Sequence, residues 1–282
     1  MSLRVSVNIL EHNDSKYFAA CLRSCYEQDY DNYEILVIND IPDNEPRVNE
    51  IIGLIQTGRK IITLLTIPKT PLGLARQIGV NISNADVIAF IDSDTVLSST
   101  DWITKMVAPF DDTDVAITHT LGTYHDEDPA IMRYAILATP YRDGQRPGTG
   151  HTLIRKSTIL KYGNFQDVGG NEDRLLIDKF TEKIVYMPDL RVYHYHATSL
   201  WQFLYKTWRV KCTSEEVGKI DPHYYYNDKS ASDHRARLIK YNTGMFFRAL
   251  VGKEDTAWLL WPVVGFCQLM IFRVVYKVVK YG

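Results

Sequence analysis

Four apolar runs punctuate the first third of the chain: RVSVNIL at Arg4–Leu10, EILVIN at Glu34–Asn39, KIITLL at Lys60–Leu65 and VIAFI at Val87–Ile91. They are nearly continuous rather than alternating, the pattern of strands buried on both faces of a parallel sheet. Between them, Lys16–Gln28, Pro46–Gln56 and Gly73–Ile82 place apolar residues three and four apart, as helices with one face in a core do. The alternation predicts right-handed crossovers and an open, doubly wound, mostly parallel α/β sheet whose ligands bind at the carboxyl ends of the strands. After about residue 200 the strand pattern gives way to aromatic-rich helical spacing. Residues 1–200 are therefore expected to form the α/β domain and 201–282 a helical extension.

The carboxyl ends of the predicted strands carry the candidate chemistry. VIAFI runs directly into Asp92, Ser93 and Asp94, and EILVIN runs into Asp40. Two carboxylates one residue apart on a turn can both approach a hard divalent cation such as Mg²⁺ or Mn²⁺, which is commonly shared between protein carboxylates and substrate phosphates. The plainer reading is that Asp92 caps the next helix and Asp94 is solvated. Company favours the first reading. Arg76, in PLGLARQIG, falls near a predicted helix start, where a guanidinium and backbone N–H groups can meet a phosphate.

Composition narrows the classes. With 282 residues, 45% of them hydrophobic, the chain can fill a sizeable core. Lys and Arg total 32 against 34 for Asp and Glu, which gives no support to a nucleic-acid binder that works by neutralising phosphates. Cys21, Cys25, Cys212 and Cys267 form no CxxC pair and no disulfide-scaffold density, so a reducing, cytoplasmic compartment is expected and Cys21 and Cys25 are read as core. The N-terminal segment reads as a strand rather than a secretory signal.

The ordered motifs resemble the family 2 glycosyltransferases, inverting enzymes of the GT-A fold that use nucleotide-sugar donors. VSVNILEHND is similar to that family's opening strand and turn, and CLRSCYEQDYDNYEILVIND to its helix, Q-x-Y turn and second strand. GLARQIGVNISNADVIAFIDSD resembles its G-x-x-x-A-R helix followed by the metal-binding DxD. Farther on, GHTLIRKSTILKYGNF looks like the acceptor-side segment, NEDRLLIDKF like the catalytic-base helix and YMPDLRVYHYHATSL like a strand with a late histidine.

The resemblance implies that Glu11, Asn13, Asn39, Asp40, Arg76, Asp92 and Ser93 contact the nucleotide sugar, with UDP the first expectation. It implies Mn²⁺ or Mg²⁺ on Asp92 and Asp94, completed by His194 or His196, and Asp173 as general base with Glu172 orienting the acceptor or the loop. His151 and Asp167 fall on the acceptor side. The chain departs from the pattern at Glu11, His12, Asn39, Gln77 and Lys179. It lacks the Q-x-x-R-W signature of processive synthases, so a single-sugar transfer to a glycan or lipid-linked acceptor is expected.

Read without the resemblance, His194 and His196 point to one side of an extended segment and either can ligate a metal. Asp173 then serves as a favourable charge at a helix N-terminus. Two rival functions are a nucleotidyltransferase and a non-catalytic sugar-nucleotide binder. The first is disfavoured because LEHNDSKY lacks a glycine-rich basic phosphate loop, the second because Asp92, Asp94 and Asp173 are all present.

AWLLWPVVGFCQLMIFRVVY, residues 257–276, is as long as a membrane span but is interrupted by Pro262, Gly265, Gln268 and Arg273. Contact of residues 257–280 with a membrane surface, packing within the chain or against a second copy, and a true span all remain open from sequence.

Overall fold

The computed structural model describes residues 2–58, 60–137, 147–168, 170, 172–195, 197–209, 240–268 and 270. The chain divides into two compact units, Met1–Thr123 with Asp143–His194, and Tyr124–Arg142 with Tyr195–Gly282.

The first unit is built on an eight-stranded sheet in the order β3-β2-β1-β4-β7-β6-β8-β5. The strands are β1 (Val5–Glu11), β2 (Tyr33–Asn39), β3 (Ile62–Thr66), β4 (Val87–Asp92), β5 (Thr95–Leu97), β6 (Val115–Thr123), β7 (His151–Arg155) and β8 (Lys183–His194). As the apolar runs predict, β1 pairs in parallel with β2 and β4, and β2 with β3. Beyond β4 the sheet becomes mixed. β7 runs antiparallel to both β4 and β6, β6 is parallel to β8, and β5 is antiparallel to β8.

Helices cover both faces, so the parallel strands are buried twice over and their sequences need not alternate. On one face α1 (Phe18–Tyr26) sends Phe18, Cys21, Leu22 and Cys25 against Val5, Val7 and Ile9, with α4 (Trp102–Val107) adding Trp102 and Met106. Cys21 and Cys25 are core residues, fully buried. On the other face lie α3 (Leu72–Ile82), α6 (Lys156–Tyr162) and α7 (Glu172–Ile177), which pack Val80, Ile159 and Leu176 on Ile88, Phe90 and Ile117.

Two sequence motifs have structural work in this packing. Gln28, of the Q-x-Y turn, donates to Ser99 O at 2.8 Å and accepts from Ile103 N–H at 2.9 Å, tying α1 to α4, while Tyr30 Oη donates to Leu3 O at 2.5 Å. Gly79 lets α3 approach β1 closely, since a Cβ there would lie 2.6 Å from Asn8 Nδ2. Gly73 does the same for the chain before α7, where a Cβ would overlap the carbonyl of Gln166.

In the second unit, α5 (Ala130–Leu137) and helical segments 200–209, 240–250 and 261–268 share a core of Tyr134, Phe203, Ala249, Trp258 and Val264. Tyr134 meets Phe203 and Trp258 edge-on at 5.9 and 5.6 Å. Arg133 pairs with Asp255 at 3.2 Å. Among the described residues, no helix is long and apolar enough to cross a membrane.

Candidate active site and metal centre

The site forms where β4 leaves the sheet. Asp92 ends β4, and the chain turns through Ser93 and Asp94 into β5. Because β5 runs antiparallel to the end of β8, Thr95 lies opposite His194. His194 Nε2 is consequently 3.2 Å from Asp94 Oδ1. One ligand atom each from Asp92, Asp94 and His194 fall within 4.8 Å of one another. Two carboxylate oxygens and an imidazole nitrogen suit a small divalent cation. His196 lies outside the described residues.

His151 begins β7 opposite Ile91, with its ring 6.0 Å from that of His194. Partly exposed as a residue, it nonetheless has Nδ1 fully enclosed and without a hydrogen-bond partner. That burial, with the His194 and His119 rings close by, pushes its imidazole down to about 3, so the ring is neutral at physiological pH.

A three-residue turn, Gly148-Thr149-Gly150, separates Asp92 from Asp173. Asp173, in the first turn of α7, accepts the Thr149 N–H on Oδ2 at 3.1 Å and the Arg174 N–H on Oδ1 at 2.8 Å. On the other side the Asp92 N–H donates to Gly150 O at 3.3 Å. Gly150 has φ +121°, and a Cβ there would come within 2.5 Å of Asp92 Oδ2; a Cβ on Gly148 would lie 3.3 Å from Asp173 Oδ2. At position 150 the positive φ and the closeness of Asp92 require glycine, while a Cβ at 148 would fit only tightly against Asp173. Sequence reading did not single out Gly148. The Gly-x-Gly spacing is its only signal, and a weak one.

Arg76 links the two halves of this arrangement. From α3 its Nη2 donates to Asp92 Oδ1 at 2.9 Å, and its Nη1 pairs with Glu172 Oε1. Glu172 and Arg76 are almost wholly buried. A buried carboxylate and guanidinium are costly to desolvate singly, and here each satisfies the other. The guanidinium thus orients Asp92 and anchors the start of α7, next to Asp173.

The remaining predicted nucleotide-side residues gather at the ends of β1 and β2. Asp40 is fully buried, with Oδ2 2.5 Å from His12 Nδ1 and Oδ1 3.2 Å from Lys69 Nζ. Lys69, whose sequence context carries no motif, also donates to His12 O at 2.6 Å. The Asn39 side chain closes a local turn, accepting the Ile41 N–H at 3.2 Å and donating to Ile41 O at 3.1 Å. Glu11 accepts the Ser15 N–H on Oε1 at 2.8 Å, while its Oε2 is enclosed without a partner. Burial pushes this carboxyl up to about 7, opposed in part by the hydrogen bond from Ser15. Asn13 is exposed on the turn after β1, and Asp167 is exposed on the loop before α7.

The profile of the family described as Glycosyl transferase family 2 matches residues 6–169, more than half the chain. The putative glycosyltransferase EpsH of Bacillus subtilis (strain 168) is 30% identical over 141 residues, a match that spans 49% of this chain and 39% of that protein. The mannosyltransferase PcManGT from Pyrobaculum calidifontis, solved with GDP-Man and Mn²⁺, superposes with a TM-score of 0.65 at 14% identity, over 98% of this chain and 87% of that one. Residues 1-349 of S. aureus TarS, solved with UDP-GlcNAc, superpose with a TM-score of 0.52 at 14% identity, over 75% of this chain and 66% of that one. At these identities the two structures establish the shared GT-A fold.

Proposed function

Since the chain belongs to glycosyl transferase family 2, we propose that it moves one sugar, with inversion at the anomeric carbon, from a nucleoside diphosphate sugar to a hydroxyl of a glycan or lipid-linked acceptor. The observation that carries this reading is the pair of carboxylates, Asp92 and Asp173, held on opposite sides of the Gly148–Gly150 turn. One belongs to a cluster suited to a metal and a diphosphate, the other stands by itself beside it.

In this reading Asp173 takes the proton of the acceptor hydroxyl as that oxygen attacks the anomeric carbon from the face opposite the diphosphate. The bond to the diphosphate oxygen breaks, and its electron pair leaves with the nucleotide. A divalent cation held by Asp92, Asp94 and His194 would stabilise the charge that develops on the departing diphosphate. Arg76 fixes Asp92 for that task and keeps positive charge at the site, and Glu172 anchors the helix that presents Asp173. Glu11, Asn39 and Asp40 lie at the strand ends where the base and ribose would enter, with Asn13 and Ser93 beside them. Asp167 and His151 are assigned to the acceptor side.

Mn²⁺ and a nucleotide sugar accompany PcManGT, and a uridine sugar nucleotide accompanies TarS. These support a nucleotide-sugar donor with Mn²⁺ for this chain, and uridine is our choice of base. We place the protein in the cytoplasm at the inner face of a membrane, where a lipid-linked acceptor is met. The test is a thermal-shift panel of UDP- and GDP-sugars with and without Mn²⁺, followed by transfer assays. Stabilisation by a sugar nucleotide only when Mn²⁺ is present is expected. Equal stabilisation after chelation would remove the metal from the reading, and no stabilisation by any nucleotide would overturn it.

A further inference from the structure

On β6 and β7 of the first unit, Thr118, Thr120 and Thr152 are fully buried. A hydroxyl taken out of water needs a partner, and each of these donates to a backbone carbonyl of another segment. Thr118 Oγ1 donates to Met106 O in α4 at 2.8 Å, and Thr120 Oγ1 donates to Leu190 O in β8. Neither carbonyl belongs to a residue of the candidate site. Thr152 differs: it reaches back past the start of β7 and donates to Gly148 O at 2.5 Å. Phe90 of β4 and His119 of β6 stand opposite Thr152 in the sheet register, which fixes its place from both sides. Nothing in HTLIR marks it, because a threonine in an apolar run reads as ordinary strand preference.

Gly148 O and the Thr149 N–H belong to one planar peptide unit. Its carbonyl end accepts the Thr152 hydroxyl, and its N–H end donates to Asp173 Oδ2 at 3.1 Å. The orientation of the plane and the place of the carboxylate oxygen are thus set together. The Arg174 N–H holds the other oxygen, Oδ1, at 2.8 Å. Each carboxylate oxygen has two lone pairs and has used one in these bonds, so one remains on each to take the proton of an acceptor hydroxyl. Hydrogen bonds in series also polarise one another, and the hydroxyl on the carbonyl makes the N–H a stronger donor to Asp173.

We infer that Thr152 is a positioning residue for Asp173, acting through the Gly148–Thr149 peptide. Its hydroxyl holds the turn in the orientation that presents the Thr149 N–H to the carboxylate, and so fixes where the carboxylate stands. The inference rests on the transferase reading for what Asp173 does, but not for the link between the two residues. A reacting group misplaced by about 1 Å loses on the order of a hundredfold in rate, so a buried hydroxyl behind the turn can govern turnover without touching substrate.

The link is tested first on the Thr149 amide in proton–nitrogen correlation spectra of the full chain, which need neither donor nor acceptor. Thr152→Val keeps the shape and removes the hydroxyl, Thr152→Ala removes it with less bulk, and Thr152→Ser keeps it. Thr118→Val, which strips a buried hydroxyl from Met106 O, is the control for lost stability alone. Expected are an upfield move and faster hydrogen exchange of the Thr149 amide in Thr152→Val and Thr152→Ala, and a parent-like amide in Thr152→Ser and Thr118→Val. Turnover is then read as nucleoside diphosphate released from the UDP- and GDP-sugars of the thermal-shift panel with Mn²⁺. It should fall by about ten- to a hundredfold in Thr152→Val and Thr152→Ala with donor affinity at the parent value, and stay near the parent rate in Thr152→Ser and Thr118→Val. In an Asp173→Asn background Thr152→Val should cost little more, since the group it positions no longer accepts a proton. A Thr149 amide indifferent to both Val and Ala would overturn the inference, as would parent-rate turnover in both, or an equal loss in Thr152→Ser or Thr118→Val. Turnover absent from the parent, or unchanged in Asp173→Asn, would sink the transferase or the base reading instead, while the amide still decides the link.

Discussion

His194 Nε2 lies 3.2 Å from Asp94 Oδ1, one hundred residues away in sequence, because the short β5 pairs antiparallel with the end of β8 and sets Thr95 opposite His194. With Asp92 they bring three ligand atoms within 4.8 Å of one another. His194→Ala and Asp94→Asn should each weaken Mn²⁺ binding by about tenfold or more, since each deletes one of the three proposed ligand atoms. Calorimetric titration of Mn²⁺ into the parent and the variants checks this. Unaltered affinity in either variant would exclude that residue from the metal shell.

Asp173 should show a different signature. Asp173→Asn keeps the shape but cannot accept a proton, so turnover should fall by about 10²–10⁴-fold while sugar-nucleotide affinity stays at the parent value. Steady-state rates beside calorimetric donor binding separate the two. Transfer at the parent rate would move the search for the base elsewhere.

Arg76 is predicted to be structural as well as electrostatic. Arg76→Ala leaves Glu172 buried and unpaired, which should cost about 3–5 kcal/mol of stability. Adding Glu172→Gln should recover part of that loss, because the stranded charge is gone. Urea unfolding of the single and double variants gives the comparison, and a double variant less stable than Arg76→Ala would contradict it.

Gly150 and Gly163 make a matched pair. Both have positive φ, +121° and +96°, but a Cβ at 150 meets Asp92 whereas nothing lies within 4 Å of one at 163. Each change to alanine should cost stability by about 1–3 kcal/mol through backbone strain. Only Gly150→Ala should also weaken Mn²⁺ binding, as Asp92 is displaced. Equal metal affinity in the two variants would show that Asp92 tolerates the intrusion.

Glu11 should leave a mark on the pH dependence of stability. Its folded-state value of about 7 lies above the ordinary 4.5, so the folded state holds its proton more tightly than the unfolded state. Below the ordinary value both states are protonated and Glu11 costs nothing. Between pH 4.5 and 7 its contribution turns increasingly unfavourable, and above that the full cost persists, on the order of 3 kcal/mol. Glu11→Gln should flatten this part of the curve and raise the melting temperature of the metal-free protein above pH 7. Parallel curves for the two proteins would show that Glu11 titrates as an ordinary carboxylate.

The sequence alone determined the parallel half of the fold and the acidic ends of its strands. Continuous apolar runs are what double burial requires, so β1 to β4 and the helices between them are legible by periodicity, and Asp40 and Asp92 follow from where those runs stop. The mixed half is less legible. β5 has three residues, and β6 and β8 pair through register shifts, so neither shows a clean period.

What only the tertiary structure decided are the relationships made by distant pairing. These are His194 beside Asp94, Arg76 between Asp92 and Glu172, Lys69 on Asp40, and the Gly148–Gly150 turn between Asp92 and Asp173. The same holds for which face of each C-terminal helix the core consumes. Amphipathic spacing is blurred there because both faces are apolar, and only packing shows which one is left over.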